Sequence, residues 1–278
     1  MTFFTRTLFL GTYFSLFLVV PLLCQDAEIF PPAKVKRMVE SQKIEKSIRI
    51  DGLLNEEVWK MGNPITSFVQ IEPNQGELAD QQTFLRVLHN KQYLYFGIFA
   101  SDSLGKKAIR ATDFKRDFSF RSHDLVALAF DGFNDSRNAM ALTMNAYGVQ
   151  RDLLSFDDLY YDSDWDGLWR VRTNRTDSGW YAEVAIPWQT LRYPKLTDSI
   201  QQWGFNMIRV RRSSNETSAF SPFPRSFSAL RMAYAGLLTN LQPPPPKSNI
   251  RIQPYLLGAV DRYSPEIAGT KEQSAKIG

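Results

Sequence analysis

Cysteine and histidine are nearly absent: one Cys (Cys24) and two His (His89 and His123) in 278 residues. The shortage of cysteine excludes a disulfide-stapled scaffold. A zinc centre needs several His or Cys ligands, and two separated histidines cannot supply them. Ser-His catalysis wants a histidine beside an activated nucleophile, and no Gly-x-Ser-x-Gly elbow occurs. Also missing are an amphipathic helix of useful length, a repeat of fixed period and a stripe of like charge. The formal charge is +4, with Lys and Arg scattered among Asp and Glu. That scatter argues against nucleic-acid recognition, which uses a concentrated basic patch.

What is present begins with a targeting signal. Arg6 precedes an almost unbroken apolar run from Leu8 to Leu23 that contains Pro21. A spanning helix needs about 20 apolar residues; the run is shorter and proline-broken, so it reads as a signal peptide over 1–24, with the mature chain starting near Gln25. A retained anchor helix is the alternative. Cys24 invites a lipoprotein reading, although Leu22 and Leu23 are bulky for a lipoprotein cleavage site.

Residues 25–46 form a polar lead, and from Ser47 onward the pattern is strand after strand. Ile48–Gly52 predicts a short strand into a turn, and Asn55–Trp59 a helical turn with Trp59 inward. Phe84–His89 and Tyr93–Ala100 alternate around Asn90-Lys91, which predicts a hairpin. Leu125–Phe130 is continuously apolar, as in a strand covered on both faces. Ala139–Tyr147 follows, with Met140 and Met144 read as core. Trp169, Val171 and Thr173 oppose Arg170 and Arg172, and Trp180–Ile186 alternates after the turn Asp177-Ser178-Gly179: a second hairpin. Phe205–Arg211 is a further strand. Many short strands between turn signals mean an all-β sandwich or barrel. Residues 47–242 are therefore one β-sandwich. The four prolines Pro243–Pro246 open a stiff linker over 243–248, and 249–278 reads as the start of a second, incomplete domain.

Several segments carry a family resemblance: Ile50-Asp51-Gly52 with Glu57-Val58-Trp59, Tyr93–Phe96, Asp124–Asp131, Gly179–Trp188, Leu191–Pro194 and Trp203–Asn206. In this order the chain resembles family 9 carbohydrate-binding modules. Asn145–Asp152, Trp165–Trp169 and Arg209–Glu216 are similar to a subgroup that precedes a bacterial outer-membrane β-barrel of unassigned function. The resemblance implies an immunoglobulin-like or jelly-roll β-sandwich, an exported, outer-membrane-associated location on the periplasmic or surface side, and a poly- or oligosaccharide ligand. It also implies that 249–278 begins a truncated β-barrel and that the chain binds sugar for breakdown or uptake without catalysing. Sugar-binding members clamp the ligand between two tryptophans; those positions fall near Phe120-Arg121 and Phe227–Ala229 here, and neither holds tryptophan. Phe120 and Phe227 are the substitute platforms. A structural or interaction module that has lost its sugar clamp is the competing class. Haem binding, known in some related sandwiches through Met and His, has little to draw on here.

The acidic stretch Asp157, Asp158, Asp162, Asp164, Asp166 is the strongest local anomaly. Ca²⁺ takes six to eight oxygen ligands, the resembled family contains calcium, and Asp162, Asp164 and Asp166 are the candidate ligands; Asp131 and Asp135 are a second candidate pair. The spacing does not match a twelve-residue calcium loop, and a solvated loop or pairing with Arg170 and Arg172 is the plain alternative. A glycoside hydrolase would need two acids facing each other across a cleft, which adjacent acids on one loop do not provide. Trp165 and Trp169 flank the stretch and are read as partly exposed stacking candidates. Arg209, Arg211 and Arg212 with Glu216 are read as an ion-pair cluster at a strand end, and His89, at a hairpin turn, as exposed.

Overall fold

The computed structural model describes residues 32–112, 114–196 and 200–246, with the backbone of Gly258–Val260 and Ala275–Ile277. Residues 1–24, expected to be a signal peptide ending at Cys24, lie outside the described residues, as does most of 249–278. Within that last stretch, Gly258–Val260 pairs antiparallel with Ala275–Ile277.

Two sheets make the sandwich. The strands are β1 (Met38–Glu40), β2 (Gln42–Lys43), β3 (Val69–Glu72), β4 (Thr83–His89), β5 (Tyr93–Ser101), β6 (Leu125–Asp131) and β7 (Ala139–Asn145). They continue with β8 (Gln150–Phe156), β9 (Tyr160–Asp162), β10 (Arg170–Thr176), β11 (Gly179–Pro187), β12 (Gln201–Arg211), β13 (Glu216–Ala219) and β14 (Gly236–Leu241). The larger sheet runs β1-β14-β12-β6-β7-β8-β9, with β13 and β3 continuing from β12; the smaller runs β10-β11-β5-β4-β2. Helical structure among the described residues is limited to short 3₁₀ turns such as Glu57–Lys60 and Trp188–Thr190. No described helix is long and apolar enough to cross a membrane.

Alternation explains the core. Val126, Leu128, Phe130, Phe205 and Met207 point between the sheets, where Phe96 meets them from β5. The Phe96, Phe130 and Phe205 ring centroids lie 5.5–5.7 Å apart, a spacing that adds aromatic attraction to burial. Every residue of β6 is buried, because its other face is covered too. There Ala127 and Ala129 meet Phe223, Tyr234, Leu230 and Met232 from the segment between β13 and β14. Small residues outward and large ones inward let that segment lie flat on the sheet.

On the far side of the smaller sheet, Glu183 gathers the entry segment. Its carboxylate accepts from the Asp51 and Gly52 N–H groups at 2.8 and 2.9 Å and from Trp59 Nε1 at 2.8 Å. Gly97 makes room for that indole: a Cβ there would stand 2.7 Å from the Trp59 ring. Ile48–Ile50 is not a strand; the carboxylate holds the backbone of Asp51 and Gly52 that follows it. The lead also differs from expectation. Residues 38–43 belong to the sandwich, β1 pairing parallel with β14 and β2 parallel with β4.

His89 is a second correction. It is 1% exposed, because β2 and the Trp188 ring cover the end of β4. Ser41 Oγ lies 2.8 Å from Nδ1, and burial, helped by Lys43, lowers the imidazole pKa to about 4. The unfolded chain takes up this proton near pH 6.5, whereas the folded chain refuses it until about pH 4. Stability is therefore whole above that upper value and falls as the pH drops through the window, by roughly 3 kcal/mol at the acid end. Urea unfolding between pH 7 and pH 4 is expected to show this loss, and His89→Gln to flatten it.

Candidate functional site

Phe120 stands on the loop entering β6. Three contacts fix that loop: Arg151 Nη1 donates to Phe118 O at 2.8 Å, Arg212 Nη2 to Phe120 O at 3.0 Å, and the Arg212 N–H to Asp124 Oδ1 at 3.1 Å. Asp124 is buried, and burial raises its pKa against the pull of the Arg110 and Arg212 N–H groups. Phe118 packs inward on His123 at 4.6 Å, which leaves Phe120 half-buried above the sheet.

Phe227 comes from the segment between β13 and β14. Asn206 fastens its start, donating to Ser221 O at 2.8 Å and accepting from Ser221 N–H at 2.9 Å. Ser221 Oγ donates to Tyr234 O at 2.7 Å and ties the start to the end. The Phe227 N–H closes a turn on Pro224 O, and its half-buried ring lies 5.6 Å from Tyr234. The Arg231 guanidinium sits 4.1 Å from the ring centroid. Phe120 and Phe227, more than a hundred positions apart, pack against one cluster that includes Ile71, Ala127 and Ile208 on the outer face of the larger sheet. Register continues the row through Thr143 to Arg151. The structure thus joins the two substitute platforms over a floor with a basic border. Arg121, beside Phe120, is exposed.

The tryptophan candidates fall elsewhere. Trp169 is 6% exposed and belongs to the main core, with Nε1 buried and unpartnered; it is no stacking surface. Trp165 is half-buried and packs against the edge of the same core. The strand phase of β10 turns Trp169 inward with Val171, so the adjacent acidic loop carries it no further out.

The acidic stretch is drawn onto basic partners. Arg116 grips Asp152 at 2.6 and 2.8 Å and Asp166 at 2.9 Å. Asp152 is buried, and that burial raises its pKa even beside the guanidinium. Asp157 pairs with Arg137 at 2.6 Å and Asp158 with Arg231 at 3.6 Å. Asp162 accepts the Asp164 N–H at 3.0 Å, both residues exposed. Asp131 accepts the Ser136 N–H at 2.7 Å, while Asp135 binds the Asn138 amide at 2.9 Å. Among the described residues no three His, Cys, Asp or Glu side chains converge as a metal set. Asp162, Asp164 and Asp166 are thus not gathered into one set of acidic side chains. Among the described residues Arg170 and Arg172 do not pair with the acidic stretch; Arg116, Arg137 and Arg231, which sequence reading missed, hold Asp166, Asp157 and Asp158, and only the fold brings Arg116 to β8.

The expected ion-pair cluster with Glu216 forms only in part: Arg211 pairs, and its acid is Asp102. Arg211 is bidentate on Asp102 at 2.8 and 3.2 Å, and the almost wholly buried Arg209 donates to main-chain oxygens of Gln81 and Ser101 at 3.0 and 2.6 Å. Burial lowers the Arg209 pKa to about 10.

Because Trp169 fills core volume, Trp169→Ala is expected to lose roughly 3–5 kcal/mol of stability. Trp169→Phe gives up an indole N–H that has no partner and is expected to lose much less; urea midpoints of the two variants check the difference.

Comparison with known proteins places this geometry. The model of the carbohydrate family 9 binding domain-like family matches residues 50–219. The chain is similar to a candidate carbohydrate-binding protein of Bacteroides uniformis at 9% identity and TM-score 0.58, over 73% of this chain and 99% of that one. It is also similar to a family 9 carbohydrate-binding module of Caldicellulosiruptor kristjanssonii in complex with glucose, at 12% identity and TM-score 0.51, over 78% and 100%. No curated protein matches significantly. The family match covers more than half of the chain and spans Gly52, Trp59, Gly97, Glu183 and the β12–β13 pair: the chain belongs to the carbohydrate family 9 binding domain-like family.

Proposed function

We propose that the protein binds carbohydrate at Phe120 and Phe227, on the outer face of its larger sheet. The observation that carries this reading is the convergence of the two half-buried rings, from separate loops, on one apolar cluster. Sugar C–H faces pack on any aromatic ring, and hydroxyls need polar groups within reach; Arg121 and Arg151 border the same floor. Family membership and a fold shared with a glucose-bound module support the ligand class.

The reading extends to placement in the cell. The apolar run Leu8–Leu23 after Arg6 supports export. The subgroup resemblance, with the proline linker at Pro243–Pro246, supports an outer-membrane-associated module that delivers sugar to a following β-barrel. One observation favours a second reading: neither clamp position holds tryptophan. In that reading the sandwich is a structural or interaction module of the barrel protein.

Calorimetric titration of the purified chain with a panel of oligosaccharides separates the two readings. Saturable heats weakened about tenfold by Phe120→Ala or Phe227→Ala are expected for sugar binding. A folded protein that gives no heat with any glycan would favour the structural module.

A further inference from the structure

The arginines of this chain rest either on carboxylates or, like Arg37, Arg209 and Arg225, on main-chain oxygens, and those around the two rings are mostly of the second kind. Arg116, Arg137 and Arg211 each lie on a carboxylate at 2.6–2.9 Å. Beside the platform, Arg151 and Arg212 rest instead on the main-chain oxygens of Phe118 and Phe120. A carbonyl orients a guanidinium but does not cancel its charge. Arg212 Nε is buried with no partner, a donor that folding leaves unused. Arg121 is exposed and bonds only through its backbone N–H. Among the described residues none of these three has an ion pair, and Arg231, over Phe227, has a long one of 3.6 Å to Asp158. Four guanidinium groups thus border two rings with a single carboxylate contact between them. A neutral sugar would leave that excess charge uncompensated. A carboxylate or sulfate on each repeat would meet it with charge-assisted, often bidentate, hydrogen bonds.

We infer that the ligand is an acidic polysaccharide, its ring faces on Phe120 and Phe227 and its carboxylate or sulfate groups on Arg121, Arg151, Arg212 and Arg231. This inference rests on the sugar-binding reading above. It goes further by fixing the charge of the ligand.

Polygalacturonate, alginate and chondroitin sulfate provide the test, each set against its neutral counterpart made by carboxyl reduction and, for chondroitin sulfate, desulfation as well, in titrations of the full chain. At least one charged polymer is expected to bind about tenfold tighter than its counterpart, with affinity falling as salt rises. Arg121→Gln, at an exposed side chain, and Arg151→Gln are each expected to weaken the charged polymer roughly fivefold and its neutral counterpart by a clearly smaller factor. Phe227→Ala is expected to weaken both. Equal affinity for charged and neutral polymers, or arginine variants without effect, would overturn the charge inference and leave sugar binding standing. No binding of either kind would overturn sugar binding itself. Single-stranded DNA held as tightly, and indifferent to Phe227→Ala, would show a generic polyanion surface and overturn the inference as well.

Discussion

A buried guanidinium joins the two sheets at the end of the sandwich that carries the rings. Arg209 projects from β12 in the larger sheet and reaches the oxygens of Gln81, Gln82, Thr83 and Ser101 at the edge of the smaller one. A charge withdrawn from water is costly unless its donors are met, so this contact fixes how the sheets face each other at that end. The neighbouring groups follow from it. Arg211 holds Asp102, Glu216 accepts from the Asp80 N–H, and Asp124 accepts from the Arg212 N–H. Arg212 in turn holds the Phe120 carbonyl. The candidate platform is the outermost member of a chain of polar contacts that begins between the sheets.

The second platform depends on side-chain size. Ala127, Ala129, Ala139 and Ala141 leave the outer face of β6 and β7 shallow. Only such a surface lets the segment between β13 and β14 lie across it and bury Phe223, Leu230, Met232 and Tyr234. Asn206 then pins the segment at Ser221, so Phe227 has a defined place above the sheet.

The hairpins β4–β5 and β10–β11 were legible in the sequence because short turns separate apolar runs of strand length, although β5 and β11 are buried on both faces. The continuous run of β6 was legible for the opposite reason, both faces being dry. β8 escaped notice because its inward position is Asp152, which can be buried only because Arg116 arrives from a loop distant in sequence. β1 and β2 are too short to show a period, and β1 owes its existence to pairing with β14 two hundred residues away. Trp169 and His89 were misplaced for a related reason. Each sits beside polar residues, and proximity to a polar loop or turn points to exposure, whereas strand phase and distant neighbours bury both. Phe120 and Phe227 came from family resemblance; nothing in either local sequence predicts that they share one cluster.

Two phenylalanines give a sugar less ring area than two tryptophans, so a site built on them needs another source of affinity or has ceased to bind. Their surroundings bear on that choice. Guanidinium groups without acidic partners at this platform carry a cost, since mutual repulsion and partial burial both work against the fold. Here those groups are oriented by carbonyls, one donor stays unused beside Phe120, and a cation covers Phe227. Charge placed where ring area is lacking is the arrangement expected of a site that exchanged stacking for ion pairing, which is why the charge on the polysaccharide distinguishes a working site from a relic.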